Sequence, residues 1–364
     1  MKKRLCFVIP SMRRGGAERV MSILLNSSIE KGYNVTLILL SDNSVDYEIS
    51  PLVNVVNIPD LMIERKGIKA LNRLRALRKA ILVTEPDLVI SFLTTCNIYV
   101  AMALKGTKIP FIVSERNDPT KDCPSKIKRF VRNHCYKCAN GVIFQTEDAR
   151  KHFSKKITDG SVIIPNPVKS GLPFASIDDA ENVVVAAARL TEQKNYPMLL
   201  RAFKIFLKNH ANYTLKIFGD GEKREELVAL LVELGISDKV SFEGNVSDLH
   251  ERIKTAKMFV LSSDYEGISN SLLEAMAMGL PVVSTDCPCG GSAMLIEDGK
   301  SGFLTPVGDE LAFVGAMSKI ADSLDVAYGL SENAKNVRDL YSEEFITGRY
   351  EEYFDCVLHK TKKL

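Results

Sequence analysis

The sequence has no tryptophan, and aromatic residues of all kinds make up only 7% of its 364 residues. Stacked aromatic platforms between basic residues, which are typical of proteins that bind single-stranded nucleic acid, are therefore not expected. No run approaches the roughly 18 consecutive apolar residues of a membrane-spanning helix. The eight cysteines form no dense secreted framework. We predict reduced thiols and a cytoplasmic location.

Signatures of metal and dinucleotide sites are also missing. The chain lacks Gly-x-Gly-x-x-Gly and has no Asp-x-Asp pair placed to hold a metal ion. Cys135 and Cys138 have a Cys-x-x-Cys spacing and lie near Cys123 and His134. A tetrahedral zinc site needs four ligands, yet two of these residues are sequence neighbours and no second Cys-x-x-Cys follows. Buried helix cysteines are the simpler interpretation, and we predict no metal site.

The composition is typical of a soluble globular protein, since 46% of the residues are hydrophobic and 26% are charged. The length of 364 residues predicts two domains. The formal net charge of +3 conceals an uneven distribution. Residues 1–175 contain 28 Lys and Arg against 15 Asp and Glu, whereas residues 176–364 contain 20 against 30. Two halves of opposite sign predict two different kinds of partner.

Apolar runs of strand length alternate with segments long enough for helices, a pattern typical of a parallel sheet covered on both faces. The alternation pauses at 165–173, which we interpret as a linker. We predict two Rossmann-like, doubly wound α/β domains at 1–167 and 168–345, and a final helix at 346–364 that packs back on the first domain. The predicted strands are 5–9, 35–40, 88–92, 111–114, 141–145, 161–164, 182–188, 213–218, 240–243, 258–262, 281–285 and 303–305.

Glycines and cations follow several of these strands. Gly15 and Gly16 lie between the first strand and a helix, where paired glycines let an anion approach the main chain. A plain tight turn explains them equally well. Arg189 and Lys194 lie on the loop after the first strand of the second domain, where they are placed to clamp a diphosphate. Solvated loop cations are the alternative, and Gly219 follows the next strand.

The strongest signal lies in residues 262–281. A strand ends at Ser262, and Ser269 or Asn270 is placed to cap the helix that follows. Free main-chain amides at the start of that helix favour a phosphate. Glu266 lies in the loop before the helix, and Glu274 lies eight residues later, inside it.

This segment, with the Ala-Met-Ala-Met-Gly-Leu-Pro run after Glu274, resembles the Glu-x7-Glu segment of the retaining glycosyltransferases of family 4, which have the GT-B fold. The resemblance covers nearly the whole chain and includes Gly15 with Gly16, Arg189 with Lys194, Gly219 to Gly221, and Gly290 with Gly291. It implies a GT-B fold, with two Rossmann-like domains facing across a cleft, and glycosyltransferase activity.

The resemblance also implies roles for individual residues. Arg189 and Lys194 would bind the donor diphosphate, and Glu266 would contact the transferred sugar. Glu274 would bind the ribose hydroxyls.

Other residues would meet the nucleotide through their main chain or an apolar side chain. Main-chain groups of Leu272 and Leu273 would lie near the phosphates, and the Val246 side chain would lie by the base. Gly16 and Gly219 are the other residues predicted to bind the nucleotide.

Sugar transfer from a nucleotide builds negative charge on the leaving diphosphate, which two cations and helix amides can stabilise. We therefore predict a metal-independent reaction with a UDP-sugar as donor and no cofactor. Retention suggests attack on the front face, in which the leaving phosphate takes the acceptor proton. A covalent nucleophile at Glu266 is the alternative.

The chain departs from the family pattern after the strand that ends at Ser114. Many family members have a histidine where this chain has Arg116, so contacts that depend on an imidazole are not expected here. Arg116 is instead placed to face the sugar or a phosphate. Its neighbour Glu115 is a candidate contact for the acceptor hydroxyl, with a surface ion pair as the alternative.

Residues 64–83 contain seven Lys and Arg and one acidic residue. A helix here places its leucines on one face and clusters four cations on the other, namely Arg65, Lys66, Lys69 and Arg73. Such a helix suits an anionic membrane or lipid phosphates. A domain helix that buries its leucines and solvates its charges is the alternative. Similar glycosyltransferases that extend undecaprenyl-diphosphate-linked sugars have a basic helix here, which favours a lipid-linked acceptor.

These features predict an enzyme of bacterial surface glycan biosynthesis that moves a sugar to a lipid-linked saccharide. The saccharide is expected on undecaprenyl diphosphate, and the enzyme on the cytoplasmic face of the inner membrane. Two other functions remain open. One is a nucleotide-sugar 2-epimerase of similar build, and the other is a non-catalytic protein that binds lipid or nucleotide.

Overall fold

The computed structural model describes residues 2–61 and 69–362. The chain forms two compact units. The first unit comprises residues 1–167 and 343–364, and the second unit comprises residues 168–342. The sequence predicts domain ends at 167 and 345, and in the structure the corresponding units end at 167 and 342.

A parallel sheet of seven strands forms the centre of the first unit. The strands are β1 (Arg4–Ile9), β2 (Asn34–Leu39), β3 (Asn54–Asn57), β4 (Leu88–Phe92), β5 (Phe111–Ser114), β6 (Gly141–Phe144) and β7 (Val162–Ile163). Their order is β3-β2-β1-β4-β5-β6-β7, and every neighbouring pair is parallel. The helices between them are α1 (Gly16–Glu30), α2 (Ile58–Leu61), α3 (Lys69–Thr84), α4 (Thr94–Ala103), α5 (Lys126–Tyr136), α6 (Glu147–Lys151) and α7 (Lys155–Thr158).

The second unit repeats this plan with six parallel strands in the order β10-β9-β8-β11-β12-β13. They are β8 (Glu181–Ala187), β9 (Thr214–Phe218), β10 (Val240–Gly244), β11 (Ala256–Leu261), β12 (Val282–Thr285) and β13 (Phe303–Thr305). A 3-10 turn at Glu192–Lys194 precedes the first helix of this unit. The helices are α8 (Tyr196–Phe206), α9 (Arg224–Leu234), α10 (Leu249–Ile253), α11 (Asn270–Met278), α12 (Gly291–Leu295), α13 (Glu310–Asp322), α14 (Leu324–Ala334) and α15 (Val337–Leu340).

Both faces of the second sheet are buried. Val184 and Ala186 of β8 belong to one hydrophobic cluster, which includes side chains of α8 and α13. Val183 and Val185 belong to another, which includes side chains of α11. Because successive side chains of a strand point to opposite faces, a strand covered on both sides reads as a continuous apolar run.

Helix α16 (Glu343–Lys362) completes the first unit, although it follows the second unit in the chain. Its Tyr350 and Phe354 side chains are buried, and the Phe354 ring lies 6.2 Å from the ring of Phe7 in β1. The Tyr353 hydroxyl accepts a hydrogen bond from Val142 N of β6 at 3.0 Å. The last helix therefore belongs to the core of the first unit.

The predicted fold class, two doubly wound parallel α/β domains, is confirmed. Strand β3 was not predicted, because its sequence holds only two valines between asparagines and its first two residues are exposed. It lies at the edge of the sheet, where one row of its backbone groups has no neighbouring strand.

One close backbone approach in the second unit yields a test of stability. A Cβ atom at Gly291 would lie 1.5 Å from the carbonyl oxygen of Gly267, with no flexible side chain able to move aside. We expect Gly291→Ala to lower the free energy of unfolding by about 3 kcal/mol or more, because two main-chain segments have to separate. Urea titration followed by circular dichroism measures this.

The matched control is Gly315→Ala in the middle of α13, where an added Cβ meets no atom within 4 Å. Alanine is the better helix former, so this variant should be more stable by about 0.5–1 kcal/mol. Equal stability of the two variants would contradict the close approach at Gly291.

Candidate functional site

The order of the second sheet creates a crevice between β8 and β11. These strands are neighbours, but β9 lies on the far side of β8 and β12 on the far side of β11. Loops that leave the carboxyl ends of strands diverge at such a switch point, where ligands of α/β proteins bind. Loop 188–195 follows β8 and loop 262–269 follows β11. The predicted cations and the predicted glutamate loop therefore lie at one edge.

Two glycines let the loop after β9 lie directly against the loop after β8. A Cβ atom at Gly219 would lie 2.1 Å from the carbonyl oxygen of Ala188, and one at Gly221 would lie 2.5 Å from that of Leu190. Gly219 also has a φ of +122°, which other residues rarely adopt. Its position is thus explained by support of loop 188–195, and a nucleotide contact stays a prediction.

Lys194 and Glu266 form an ion pair across the switch point. Their side chains are only 11% and 13% exposed. The same carboxylate oxygen, Glu266 Oε2, lies 3.5 Å from Gln193 Nε2 and 3.4 Å from the hydroxyl of Ser263. The structure thus brings together two of the three predicted catalytic residues. The third, Arg189, is exposed on the same loop.

Hydrogen bonds fix the two loops to each other. Asp264 N donates to Gln193 O at 2.9 Å, and Asn195 Nδ2 donates to Asp264 Oδ1 at 2.6 Å. Thr285, at the end of the neighbouring strand β12, donates from its hydroxyl to Ser263 O at 2.6 Å. Asn195 has a φ of +43° and also caps α8. The ion pair is therefore held on ordered main chain from both sides.

Helix α11 begins directly after this loop. The Ser269 side chain caps it by accepting from Leu272 N, as the sequence predicts. The Leu272 and Leu273 side chains are fully buried, so only their main-chain atoms are suited to meet a ligand. Val246, the predicted base contact, is partly buried and packs against the same core cluster as α11.

Glu274 of α11 has a partner that the sequence analysis did not identify. His250 Nε2 lies 2.9 Å from Glu274 Oε2, and the two side chains are 17% and 10% exposed. His250 belongs to the short helix α10, whose local pattern predicts a helix but no site. A contact between residues 24 positions apart depends on how α10 packs against α11.

In the first unit, the predicted glycine pair forms the start of α1. Gly15 is extended, with a φ of −169°, and α1 begins at Gly16. The Tyr47 hydroxyl accepts from Gly15 N at 3.1 Å and donates to Gly15 O at 2.9 Å. This turn has its own structural support, and anion binding at Gly16 stays a prediction.

Glu115 is fully buried, so the surface ion pair considered for it is wrong. Thr94 Oγ1 donates to one carboxyl oxygen at 3.1 Å, and the Tyr136 hydroxyl donates to the other at 2.9 Å. Burial, and then the nearby charge of Asp122, raises the pKa of Glu115 to about 7. An acceptor contact at Glu115 stays a prediction, although both of its oxygens are engaged within the protein.

Arg116, at the position where the family resemblance implies a histidine, is only 7% exposed. One guanidinium nitrogen donates to the hydroxyl of Tyr350 in α16 at 2.9 Å, and another donates to Asn166 Oδ1 at 2.6 Å. The guanidinium also lies 4.5 Å from the centre of the Phe92 ring. These contacts join the end of β5 to α16. These two hydrogen bonds and the ring contact are sufficient to explain an arginine at this position.

The described part of the predicted basic helix, α3, packs as a domain helix. Leu77 and Ile81 are fully buried, and Lys69 is exposed. Arg73 was expected on the solvated face but is half-buried, and its Nε atom has no hydrogen-bond partner among the described residues. Arg78, beside the apolar face, donates to Lys105 O at 3.0 Å and to Ala103 O at the end of α4. The predicted contacts Arg65 and Lys66 lie outside the described residues.

Two negative observations apply to residues 2–61 and 69–362. No group of three or more His, Cys, Asp and Glu side chains is arranged there to hold a metal ion. Within the same ranges, no helix combines the length and the hydropathy that crossing a bilayer requires.

Comparison with known proteins gives two family matches. The model described as Glycosyltransferase Family 4 matches residues 14–170, and the model described as Glycosyl transferases group 1 matches residues 173–337. One relative is the α-1,4-N-acetyl-D-galactosaminyltransferase of Campylobacter jejuni named for the acceptor GalNAc-α-(1→4)-GalNAc-α-(1→3)-diNAcBac-PP-undecaprenol. It is 29% identical over 91% of this chain and 92% of its own length. The lipopolysaccharide core biosynthesis glycosyltransferase LpsE of Rhizobium meliloti is 26% identical over 92% of this chain and 94% of its own.

Solved structures share the fold. Sucrose-phosphate synthase from Thermosynechococcus elongatus matches with a TM-score of 0.84 at 17% identity, covering 99% of this chain and 100% of that one. Anabaena HepE, solved in complex with UDP and glucose, matches with a TM-score of 0.83 at 18% identity, covering 96% and 99%. At these identities the likeness shows the fold alone.

The buried carboxyl of Glu115 predicts a pH dependence of stability. Its pKa rises from an ordinary 4.5 to about 7 in the folded protein. The unfolded chain therefore loses this proton first as the pH rises, and folding stability falls between pH 4.5 and pH 7 by up to about 3 kcal/mol. We expect Glu115→Gln to lose less stability than the wild type between pH 5 and pH 8 in urea titrations. Parallel stability curves would contradict the raised pKa.

Proposed function

The chain belongs to glycosyltransferase family 4 and has its GT-B fold, and from this premise we propose a specific reaction. The enzyme transfers a sugar from a UDP-sugar to a lipid-linked saccharide, with retention of the anomeric configuration. It acts in the assembly of a bacterial surface glycan, at the cytoplasmic face of the inner membrane. The undecaprenyl-diphosphate acceptor in the name of the Campylobacter relative supports this choice of acceptor.

The ion pair of Lys194 and Glu266 is the observation that carries this proposal. A cation and a carboxylate lie together at the switch point, beside the start of α11. The donor diphosphate binds between Lys194, the exposed Arg189 and the N-terminal end of α11, where the helix dipole favours an anion. The transferred sugar then lies against Glu266, whose carboxylate accepts hydrogen bonds from sugar hydroxyl groups.

The nucleoside binds deeper along α11. Glu274 accepts hydrogen bonds from the ribose hydroxyls, and its contact with His250 at 2.9 Å fixes which way the carboxylate points. Main-chain atoms of Leu272 and Leu273 lie near the phosphates, and Val246 lies by the base. His250 acts here as a positioning residue, because its proposed effect on the donor passes through Glu274.

The reaction breaks the bond between the anomeric carbon and the diphosphate oxygen and forms a bond from that carbon to the acceptor oxygen. The bonding electrons leave with the diphosphate, and Lys194 and Arg189 stabilise the growing charge. Attack occurs on the face from which the diphosphate departs, and a phosphate oxygen takes the proton of the acceptor hydroxyl. Two cations and helix amides supply this stabilisation, so we propose that transfer is metal-independent.

The acceptor is proposed to bind the first unit. Residues 1–175 carry the excess of Lys and Arg, which suits a ligand with a diphosphate. Lys69 and Arg73 are proposed to contribute. Lys69 is exposed and Arg73 is half-buried.

Transfer is tested by incubating the protein with radiolabelled UDP-GalNAc, UDP-GlcNAc, UDP-Glc and UDP-Gal and a bacterial lipid extract, with and without EDTA. We expect label from one of these donors in the organic phase, at the same rate in EDTA, in a product with the anomeric configuration of the donor. A free epimerised nucleotide would instead indicate the 2-epimerase. Binding without turnover would indicate a non-catalytic protein.

Variants of the two cations test the site itself. Lys194→Ala and Arg189→Ala should each lower the transfer rate by about 100-fold or more, since each removes a charge that stabilises the leaving diphosphate. Lys208→Ala, which removes an exposed lysine elsewhere in the second unit, should leave the rate unchanged. Full activity in both site variants would refute the assignment.

A double-mutant cycle tests the role of His250. Glu274→Ala should weaken UDP-sugar binding by about tenfold, and His250→Ala by less. If His250 acts only through Glu274, the double variant binds no more weakly than Glu274→Ala alone. Calorimetric titration measures the affinities. Glu251→Ala, which removes an exposed ion pair with Lys254 in the same region, is the control, and additive losses would contradict the coupling.

A further inference from the structure

Helix α5 exposes three apolar side chains and buries an arginine beside Cys135 and Tyr136. Ile127 is 76% exposed, Phe130 is 74% exposed and Val131 is 38% exposed. Their spacing of three and four residues places them on one side of the helix. These three residues are called the α5 apolar face. An ordinary surface helix has the opposite arrangement, with its apolar stripe toward the core.

The inner side of α5 explains why this orientation is fixed. Arg132 is 2% exposed, donates to Pro119 O, and has its guanidinium 4.5 Å from the centre of the Phe153 ring. Tyr136 is 1% exposed and hydrogen-bonds to Glu115. Rotation of the helix to bury its apolar face would break both sets of buried contacts. The outward position of Phe130 is therefore built into the unit.

The apolar face is surrounded by positive charge. Lys126 and Lys128 are exposed beside it, Lys137 is exposed at the end of the helix, and α5 contains no Asp or Glu. We propose that the α5 apolar face inserts into an anionic lipid bilayer while these lysines contact the lipid phosphates. This inference rests on the membrane-bound acceptor proposed above, and it names the surface by which the enzyme reaches that membrane.

The charge pattern favours a bilayer over a second copy of the chain. In a two-fold dimer each α5 apolar face meets its own equivalent, so the lysines of both copies come together without a compensating acid on the helix. An anionic membrane surface compensates them, and its acyl boundary accepts Phe and Ile side chains. A helix that lies in the interface needs this combination of an apolar stripe and flanking cations.

Sedimentation with lipid vesicles tests this surface. We expect the full-length protein to bind vesicles that contain phosphatidylglycerol and to bind pure phosphatidylcholine vesicles weakly. The variant Ile127→Ser/Phe130→Ser should lose about tenfold or more in vesicle affinity, because two buried apolar side chains are removed from the interface. Lys126→Ala/Lys128→Ala should lose affinity for the anionic vesicles only. Val232→Ser, at a residue of the second unit that is 70% exposed, is the matched control.

The outcomes separate this inference from the proposed function. If the serine variant binds vesicles as the wild type does, the inference is wrong, whatever the transfer assay shows. A serine variant that changes oligomeric state in light scattering while vesicle binding is unchanged identifies a protein interface and also overturns it. If vesicle binding falls as expected but the wild type transfers no sugar, the membrane surface stands and the proposed function fails.

Discussion

The ion pair between Lys194 and Glu266 holds together the two loops that form the site. Each charge is largely withdrawn from water, so each depends on the other, and removal of one leaves the other uncompensated. Because one residue follows β8 and the other follows β11, the pair also joins the two sides of the switch point. The proposed donor would bring a second anion to Lys194. Under the proposed function, binding would exchange partners around a fixed ammonium group, and the sugar hydroxyls would replace part of the interaction of Lys194 with Glu266.

The first unit uses its charged residues differently. Glu115 and Arg116, adjacent at the end of β5, are both buried, and both form hydrogen bonds inside the unit. Exposed side chains of this unit include those of α5, which presents aromatic and aliphatic groups among lysines. Arg116 is part of the connection of this sheet to α16. Polar residues at the carboxyl edge of this sheet therefore contribute at least as much to its architecture as to ligand contact.

Much of the fold could be read from the sequence, because strands buried on both faces leave continuous apolar runs. Strand β3 could not, since an edge strand with asparagines at both ends has no such run. Glu266 and Glu274 could be placed in a loop and a helix by local pattern. The partner of Glu274 could not be found, because His250 approaches it through the packing of α10 on α11. The burial of Glu115 could not be predicted either, because Thr94 and Tyr136, which hydrogen-bond to it, come from other parts of the chain.

The membership of α16 in the first unit has a consequence for synthesis of the protein. The ribosome releases the strands of the first unit early, but Tyr350 and Phe354, which complete its core, emerge only after the second unit. Until then the ring of Phe7 and the guanidinium of Arg116 lack their final partners. The nascent first unit therefore carries exposed apolar surface while the whole second unit is translated. Chaperones that bind such surface have their longest opportunity during this interval.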